Sequence, residues 1–254
     1  GYERAEVTTN GTLLNYYLDK KGRLPDGLTK FKVSIDTHDP DRFREITRGG
    51  SLENIAKGIR RARETNPDLV LRANKVLLRS DMPSIPDYVD YVASLGMDGM
   101  IFLDLVLTEA QNAHERAFFE REYVFIDEVV VELRRLYGDN LAIEDDRYGH
   151  VAVLPNGLFV VLKDCNGMTL RDEGCASCPI YCQEGLFTAR VSTDGSISPC
   201  LDRYAELPYI NGRAASTNEL DIQTSALFQR LEAAQPMHAF SEFQSRSNVA
   251  LNIP

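Results

Sequence analysis

Apolar and polar positions along residues 1–106 switch between two periods. Short apolar runs suited to buried strands take turns with stretches whose apolar residues recur every three or four positions, the mark of amphipathic helices. Ala5–Thr9 predicts a first strand that ends at Asn10-Gly11, and Leu13–Lys20 predicts a short helix stopped by Gly22 and Pro25. Phe31–Asp36 reads as the second strand, with a short helix over Pro40–Thr47 after it. Ser51 has the side chain of an N-cap for a longer helix with the stripe Leu52, Ile55, Ala56 and Ile59. Leu69–Leu78 is the third strand, and Pro86 opens a helix through Leu95 that Gly96 ends at its C′ position. Met100–Val106 is the fourth strand. Such alternation is the signature of βαβ units on a parallel sheet.

Beyond residue 106 the pattern changes. Ala113–Leu136 reads as one long charged helix ended by Gly138-Asp139-Asn140, and 141–162 holds two short strand-like runs around the turn Pro155-Asn156-Gly157. A domain boundary is expected near residue 140, giving 1–140 and 141–254. The tail from Ala214 reads as partly helical, at Ser225–Ala234.

Charge and composition narrow the function. A formal charge of −10 opposes a general affinity for nucleic acid or an acidic membrane surface. No apolar run approaches the roughly 20 residues that span a bilayer, and the N-terminus has no secretory pattern. Four of the five cysteines fall in one segment as C-x2-C-x3-C-x17-C, namely Cys175, Cys178, Cys182 and Cys200. Crowded thiolates of this kind hold an iron–sulfur cluster or a tetrahedral zinc in a reducing compartment, which predicts a cytoplasmic protein. Between Cys182 and Cys200 the runs around Asp194-Gly195 predict a hairpin that draws the two thiols toward a common edge. Cys165 stands upstream as a further thiol.

Residues two apart on a strand share a face. Thr8 with Asn10, Ser34 with Asp36, and Arg72 with Asn74 are three such polar pairs, the first two at strand C-terminal ends. Ligands bind at that end of parallel α/β sheets. One pair alone reads as helix capping or solvent contact; three together read as a site for a ligand with an amino acid part and a sugar.

These residues carry a family resemblance. TTNGTLL at 8–14 resembles the third-strand motif of radical S-adenosylmethionine (SAM) enzymes. KVSIDTHDPDRFREITRGGSLENIAKGI at 32–59 is similar to the fourth strand and following segment of the molybdopterin-precursor GTP cyclase branch of that superfamily. The resemblance implies an α/β fold: a partial (β/α)6 TIM-like barrel lacking its first two βα units, followed by a small β-hairpin and cysteine-cluster domain of the SPASM or twitch type. It implies an enzyme that cleaves SAM to a 5′-deoxyadenosyl radical and abstracts hydrogen from a peptide or small-molecule substrate. Ser34 matches the SAM-contacting serine, and Thr8, Asn10, Asp36, Arg72 and Asn74 line the SAM or substrate pocket by the same likeness. Cys175, Cys178, Cys182 and Cys200 would hold an auxiliary [4Fe-4S] cluster, and a reductant such as a flavodoxin or ferredoxin would be a partner.

The chain also departs from the pattern. The C-x3-C-x2-C loop of the catalytic cluster and the GGEP-like motif do not occur, so the catalytic [4Fe-4S] cluster is expected on an absent N-terminal part. Where the cyclase branch reads its nucleotide with Arg-x-Arg, this chain has Thr188-Ala189-Arg190, and in place of a Gly-Gly tail it has Asn252-Ile253-Pro254. Both differences point to another substrate. Two alternatives stand beside the radical enzyme: a non-catalytic module with a structural four-cysteine site, and the GTP cyclase itself.

Overall fold

The computed structural model describes residues 4–106, 112–139, 141–146, 149–163, 168–172, 175, 186, 189–193, 195–198, 200 and 216–238. Its contacts divide the chain into two compact units. The first comprises 1–105, 121–146 and 150–163, and the second 106–120, 147–149 and 164–254. The boundary expected near residue 140 falls inside the first unit.

The first unit is an α/β structure on a mostly parallel sheet. It runs β1 (Ala5–Thr9), α1 (Leu14–Lys21), β2 (Leu28–Ser34), α2 (Pro40–Ile46), α3 (Leu52–Thr65), β3 (Val70–Val76), a 3-10 turn (Arg79–Ser84), α4 (Ile85–Ser94) and β4 (Gly99–Leu103). Helix α5 (Ala113–Glu122) falls largely in the second unit, and the first resumes with α6 (Ile126–Tyr137), β5 (Ile143–Asp146), β6 (Gly149–Val153) and β7 (Phe159–Lys163). The sheet order is β1-β2-β3-β4-β7-β6-β5, and β1 through β4 and then β7 are successively parallel. The region after residue 140 therefore adds a fifth parallel strand to the four expected.

Local chemistry explains the boundaries. Ser51 Oγ accepts from Asn54 N at 3.1 Å, and Asp39 Oδ1 accepts from Asp41 N at 2.8 Å, so α3 and α2 start on side-chain caps. Gly96 ends the helix before β4 with φ +71°, a conformation that strains a residue with a Cβ. Gly99 has a different role: a Cβ there would stand 2.1 Å from the Phe159 carbonyl oxygen, so β4 and β7 approach only because glycine has none.

The single helix expected over Ala113–Leu136 is two. The break falls at Tyr123-Val124-Phe125, where Tyr123 and Val124 are buried and Phe125 is extended, with ψ 138°. Four consecutive apolar residues, Tyr123 to Ile126, point all around a helix, and one stripe cannot bury them all. An extended link does bury Tyr123 and Val124, and Glu128 then accepts from Phe125 N at 3.3 Å to start α6.

The core lies between the sheet and its helices. Phe31, Val33, Ile35, Leu71, Ala73, Met100, Phe102, Val160 and Leu162 pack in one cluster with Leu14, Leu18, Ile55, Ile59, Tyr88 and Val92. In the second unit, β8 (Met168–Arg171) pairs antiparallel with β11 (Gln235–His238), and β9 (Arg190–Val191) with β10 (Ile197–Ser198). The β9–β10 turn passes through Gly195 at φ +84°, and Gly195 N donates to Ser192 O at 3.0 Å. Helix α7 (Thr217–Ala233) starts on Ser216, whose Oγ accepts from Glu219 N at 3.2 Å. Among the described residues no helix is long and apolar enough to cross a membrane.

Candidate functional site

The strand alternation that buries one face of the sheet gives the other face its chemistry. On β2, Phe31 and Val33 enter the core while Lys30, Lys32 and Ser34 turn the other way; on β3, Leu71 and Ala73 enter it while Arg72 and Asn74 do not. Parallel register lines these residues up. Thr8, Lys32, Arg72, Gly99 and Phe159 form one row, and Ser34, Asn74, Ile101 and Val161 form another nearer the C-terminal ends.

The six residues that the sequence marked in this half separate into two groups. Ser34 and Asn74 are direct register partners, and the Asn74 side-chain oxygen is buried with no hydrogen-bond partner among the described residues. Arg72 is also incompletely served: its Nε is buried with no partner among the described residues, and its guanidinium carbon lies 4.6 Å above the Phe159 ring centroid. Burial lowers the Arg72 pKa, with Glu6 and Asp98 pulling it back. Arg72 Nε and Asn74 Oδ1 thus keep hydrogen-bonding capacity that the described residues do not use. Thr8 belongs to the same face but stands exposed on the outer strand β1.

The other two are engaged in the fold. Asn10 Oδ1 accepts from Thr12 N at 3.1 Å and from Thr12 Oγ1 at 2.8 Å, closing the turn into α1. Asp36 Oδ1 accepts from Val76 N at 3.1 Å, tying the end of β2 to β3.

A charged cluster on this face lies outside the six. Glu6 Oε1 takes Lys30 Nζ at 2.6 Å and Glu6 Oε2 takes Lys32 Nζ at 2.8 Å. Burial works to raise the Glu6 pKa, but hydrogen bonds and charge from the two lysines outweigh it and hold the carboxyl at about 2. The signal was readable, since Lys30, Lys32 and Ser34 alternate as Arg72 and Asn74 do, and a strand begun at Phe31 leaves Lys30 out.

In the second unit, Cys175 and Cys200 are free, partly buried thiols, while Cys165, Cys178 and Cys182 lie outside the described residues. Among the described residues no three His, Cys, Asp or Glu side chains gather as a metal site. Cys175 N donates to Asp172 O at 2.9 Å and to Asp172 Oδ1 at 3.0 Å. Arg230 in turn holds Asp172, Nε to Oδ2 at 2.6 Å. Burial pushes the Cys175 thiol up to about 11, so at neutral pH it keeps its proton.

Comparison with known proteins adds relatives to this geometry. No family model matches. The chain is 37% identical over 206 residues to a probable GTP 3′,8-cyclase of Methanococcus maripaludis, covering 78% of this chain and 58% of that protein. It is 29% identical over 138 residues to a GTP 3′,8-cyclase of Rhizobium etli, covering 50% of this chain and 38% of that one. At superfamily level these relatives bear out the resemblance to radical SAM enzymes. They are enzymes by name, as expected of this chain. The chain spans less than two thirds of their length. Among solved structures, a protein described as native anSMEcpe with bound AdoMet aligns over 97% of this chain and 73% of its own, at 11% identity and a TM-score of 0.47. The same protein with AdoMet and a peptide aligns at 12% identity and a TM-score of 0.44, over 98% of this chain and 76% of its own.

Proposed function

We propose that this chain is the larger part of a radical SAM enzyme, with the polar face of its parallel sheet serving as the SAM and substrate side. The observation that carries the reading is the buried Asn74 oxygen, unpaired among the described residues, beside Ser34 at the C-terminal end of the sheet. Such an acceptor costs stability when it has no donor, so a site that keeps one is shaped for a ligand that brings it. SAM carries the donors, an ammonium and ribose hydroxyls, that match an amide oxygen and a serine hydroxyl. When bound to a [4Fe-4S] cluster, SAM supplies a radical able to abstract hydrogen from a substrate. The chain's own residues bind and orient: Ser34 and Asn74 hold the ligand's polar groups, and Arg72 presents its guanidinium over Phe159.

Further βα units are proposed to pack against β1. This outer strand exposes Val7, and an apolar groove of about 280 Å³ lies beside it, lined by Val7, Leu13, Tyr17, Leu28 and Phe31 among others. A catalytic cluster would belong to those units. Cys175, Cys178, Cys182 and Cys200 are proposed as ligands of an auxiliary cluster of the twitch or SPASM type, since four thiolates satisfy it.

The substrate is proposed to be a peptide or small molecule. The second reading, GTP 3′,8-cyclase, is favoured by the names of the relatives. Metal analysis of anaerobically prepared protein tests the main reading. About four iron and four sulfide per chain are expected, whereas one zinc and no iron would overturn the auxiliary cluster. Titration with SAM tests the sheet face, and titration with GTP decides between the two substrates.

A further inference from the structure

Lys75 occupies a place where the alternation of β3 calls for an apolar side chain. Leu71, Ala73 and Leu77 share its phase and are buried in the core, and Lys75 is buried with them at 2% exposure. Lysine is almost never found so deeply buried unless its ammonium is fully partnered. Here it is: Nζ donates to the Asp36 backbone carbonyl and to Asp81 Oδ2 at 2.8 Å, and lies 5.2 Å from the Tyr88 ring centroid.

The partners are tied back to the same two strand ends. Asp36 Oδ1 accepts from Val76 N at 3.1 Å, next to Lys75 in sequence. Asp81 Oδ2 also accepts from Leu78 N at 3.1 Å, and the Tyr88 hydroxyl donates to the Ile35 carbonyl at 2.8 Å. The regular β2–β3 pairing stops at Ser34 and Asn74, with one more main-chain bond from Ile35 N to Asn74 O at 2.9 Å. Past that point side chains replace the ladder. No apolar residue at position 75 could do this work, because it would leave the Asp36 carbonyl without this donor and the partly buried Asp81 carboxylate without its cation.

We propose that Lys75 is a positioning residue: with Asp36 and Asp81 it latches the ends of β2 and β3 so that Ser34 and Asn74 stand at a fixed separation. The link to a ligand rests on the SAM-side reading of that face; the latch itself rests on the contacts alone.

Hydrogen exchange read by mass spectrometry on the full chain separates the two. Lys75→Met is compared with Leu71→Ala, a cavity on the same face of the same strand that touches none of the latch. Lys75→Met is expected to speed exchange in 35–37 and 76–78 by about tenfold beyond its global loss of stability, a purely local opening. Leu71→Ala is expected to speed exchange across the sheet with no such local excess. If Lys75→Met gives the same uniform profile as Leu71→Ala, or no change, the latch is refuted. Asp81→Asn, which keeps the lysine and its carbonyl bond, carries the same comparison should Lys75→Met not fold. SAM titration then reads the positioning role: at matched global stability the latch variant is expected to bind about tenfold more weakly and Leu71→Ala within about threefold of wild type. Equal affinity of latch variant and wild type, with local exchange raised, would leave a latch that positions nothing and overturn the proposal. A wild-type chain that binds no SAM would refute the functional reading, and the exchange profile would still judge the latch.

Discussion

Ser34 and Asn74 sit side by side on adjacent parallel strands, and the Asn74 amide oxygen is buried with no donor among the described residues. An unsatisfied buried acceptor costs about 1–3 kcal/mol in the ligand-free protein. Asn74→Ala removes it together with whatever binding it serves. The variant is expected to unfold in urea at no lower a midpoint than wild type, while SAM affinity in a calorimetric titration falls about tenfold, the equivalent of one hydrogen bond. A loss of stability with unchanged affinity would mark Asn74 as a structural residue.

Glu6 carries a pH dependence whose sign follows from its depressed pKa, about 2 against an ordinary 4.5. A carboxyl lowered by folding stabilises the folded state above its unfolded pKa, and that stability is lost as pH falls through the folded value. With a side chain 39% exposed, its two lysine contacts are screened by water, and Glu6→Gln is expected to cost no more than about 1 kcal/mol at neutral pH. Denaturant melts from pH 7 down to pH 2 check this. The gap between wild type and variant should close between about pH 4.5 and pH 2.

Gly99 is held to a side chain of hydrogen alone by Phe159, whose carbonyl oxygen lies 2.1 Å from where a Cβ would stand. Relieving that overlap means moving main chain in the middle of the sheet, since β7 pairs with β4 along its whole length. Gly99→Ala is expected to destabilise the protein by about 3 kcal/mol or more, read as a drop in thermal midpoint. Gly157→Ala is the contrasting case: no atom lies within 4 Å of its Cβ position, and its cost comes from the positive φ of +85°. It should be the milder of the two, at about 1 kcal/mol.

The cysteine segment is tested one thiol at a time. Cys175→Ser, Cys178→Ser, Cys182→Ser and Cys200→Ser are each expected to lose most of the visible iron–sulfur absorbance and bound iron of anaerobically reconstituted protein, and Cys165→Ser to retain both. Arg230→Met leaves Asp172 unneutralised beside Cys175, so the auxiliary cluster should be retained less well in this variant on challenge with a chelator.

The sequence by itself determined the βα rhythm of residues 5–103, because strand and helix periods are local properties of side-chain order. Ser51 as a cap and Gly96 as a helix end were legible for the same reason: each acts on main chain within four residues of itself. It also marked Ser34, Arg72 and Asn74, which share one polar phase on neighbouring strands. What it could not settle depended on partners far away in the chain. Asn10 and Asp36 also tie the fold together, Asn10 Oδ1 to Thr12 and Asp36 Oδ1 to Val76 forty positions on. Glu6 gains its lysines only when β1 lies beside β2. The helix expected over Ala113–Leu136 breaks because burying Tyr123 and Val124 outweighs helical continuity, and Phe159–Lys163 joins β4 only through sheet pairing. Lys75 is the clearest case. Its charge in an apolar phase is visible in the sequence, yet only the packed ends of β2 and β3 give that charge three partners and a reason to be buried.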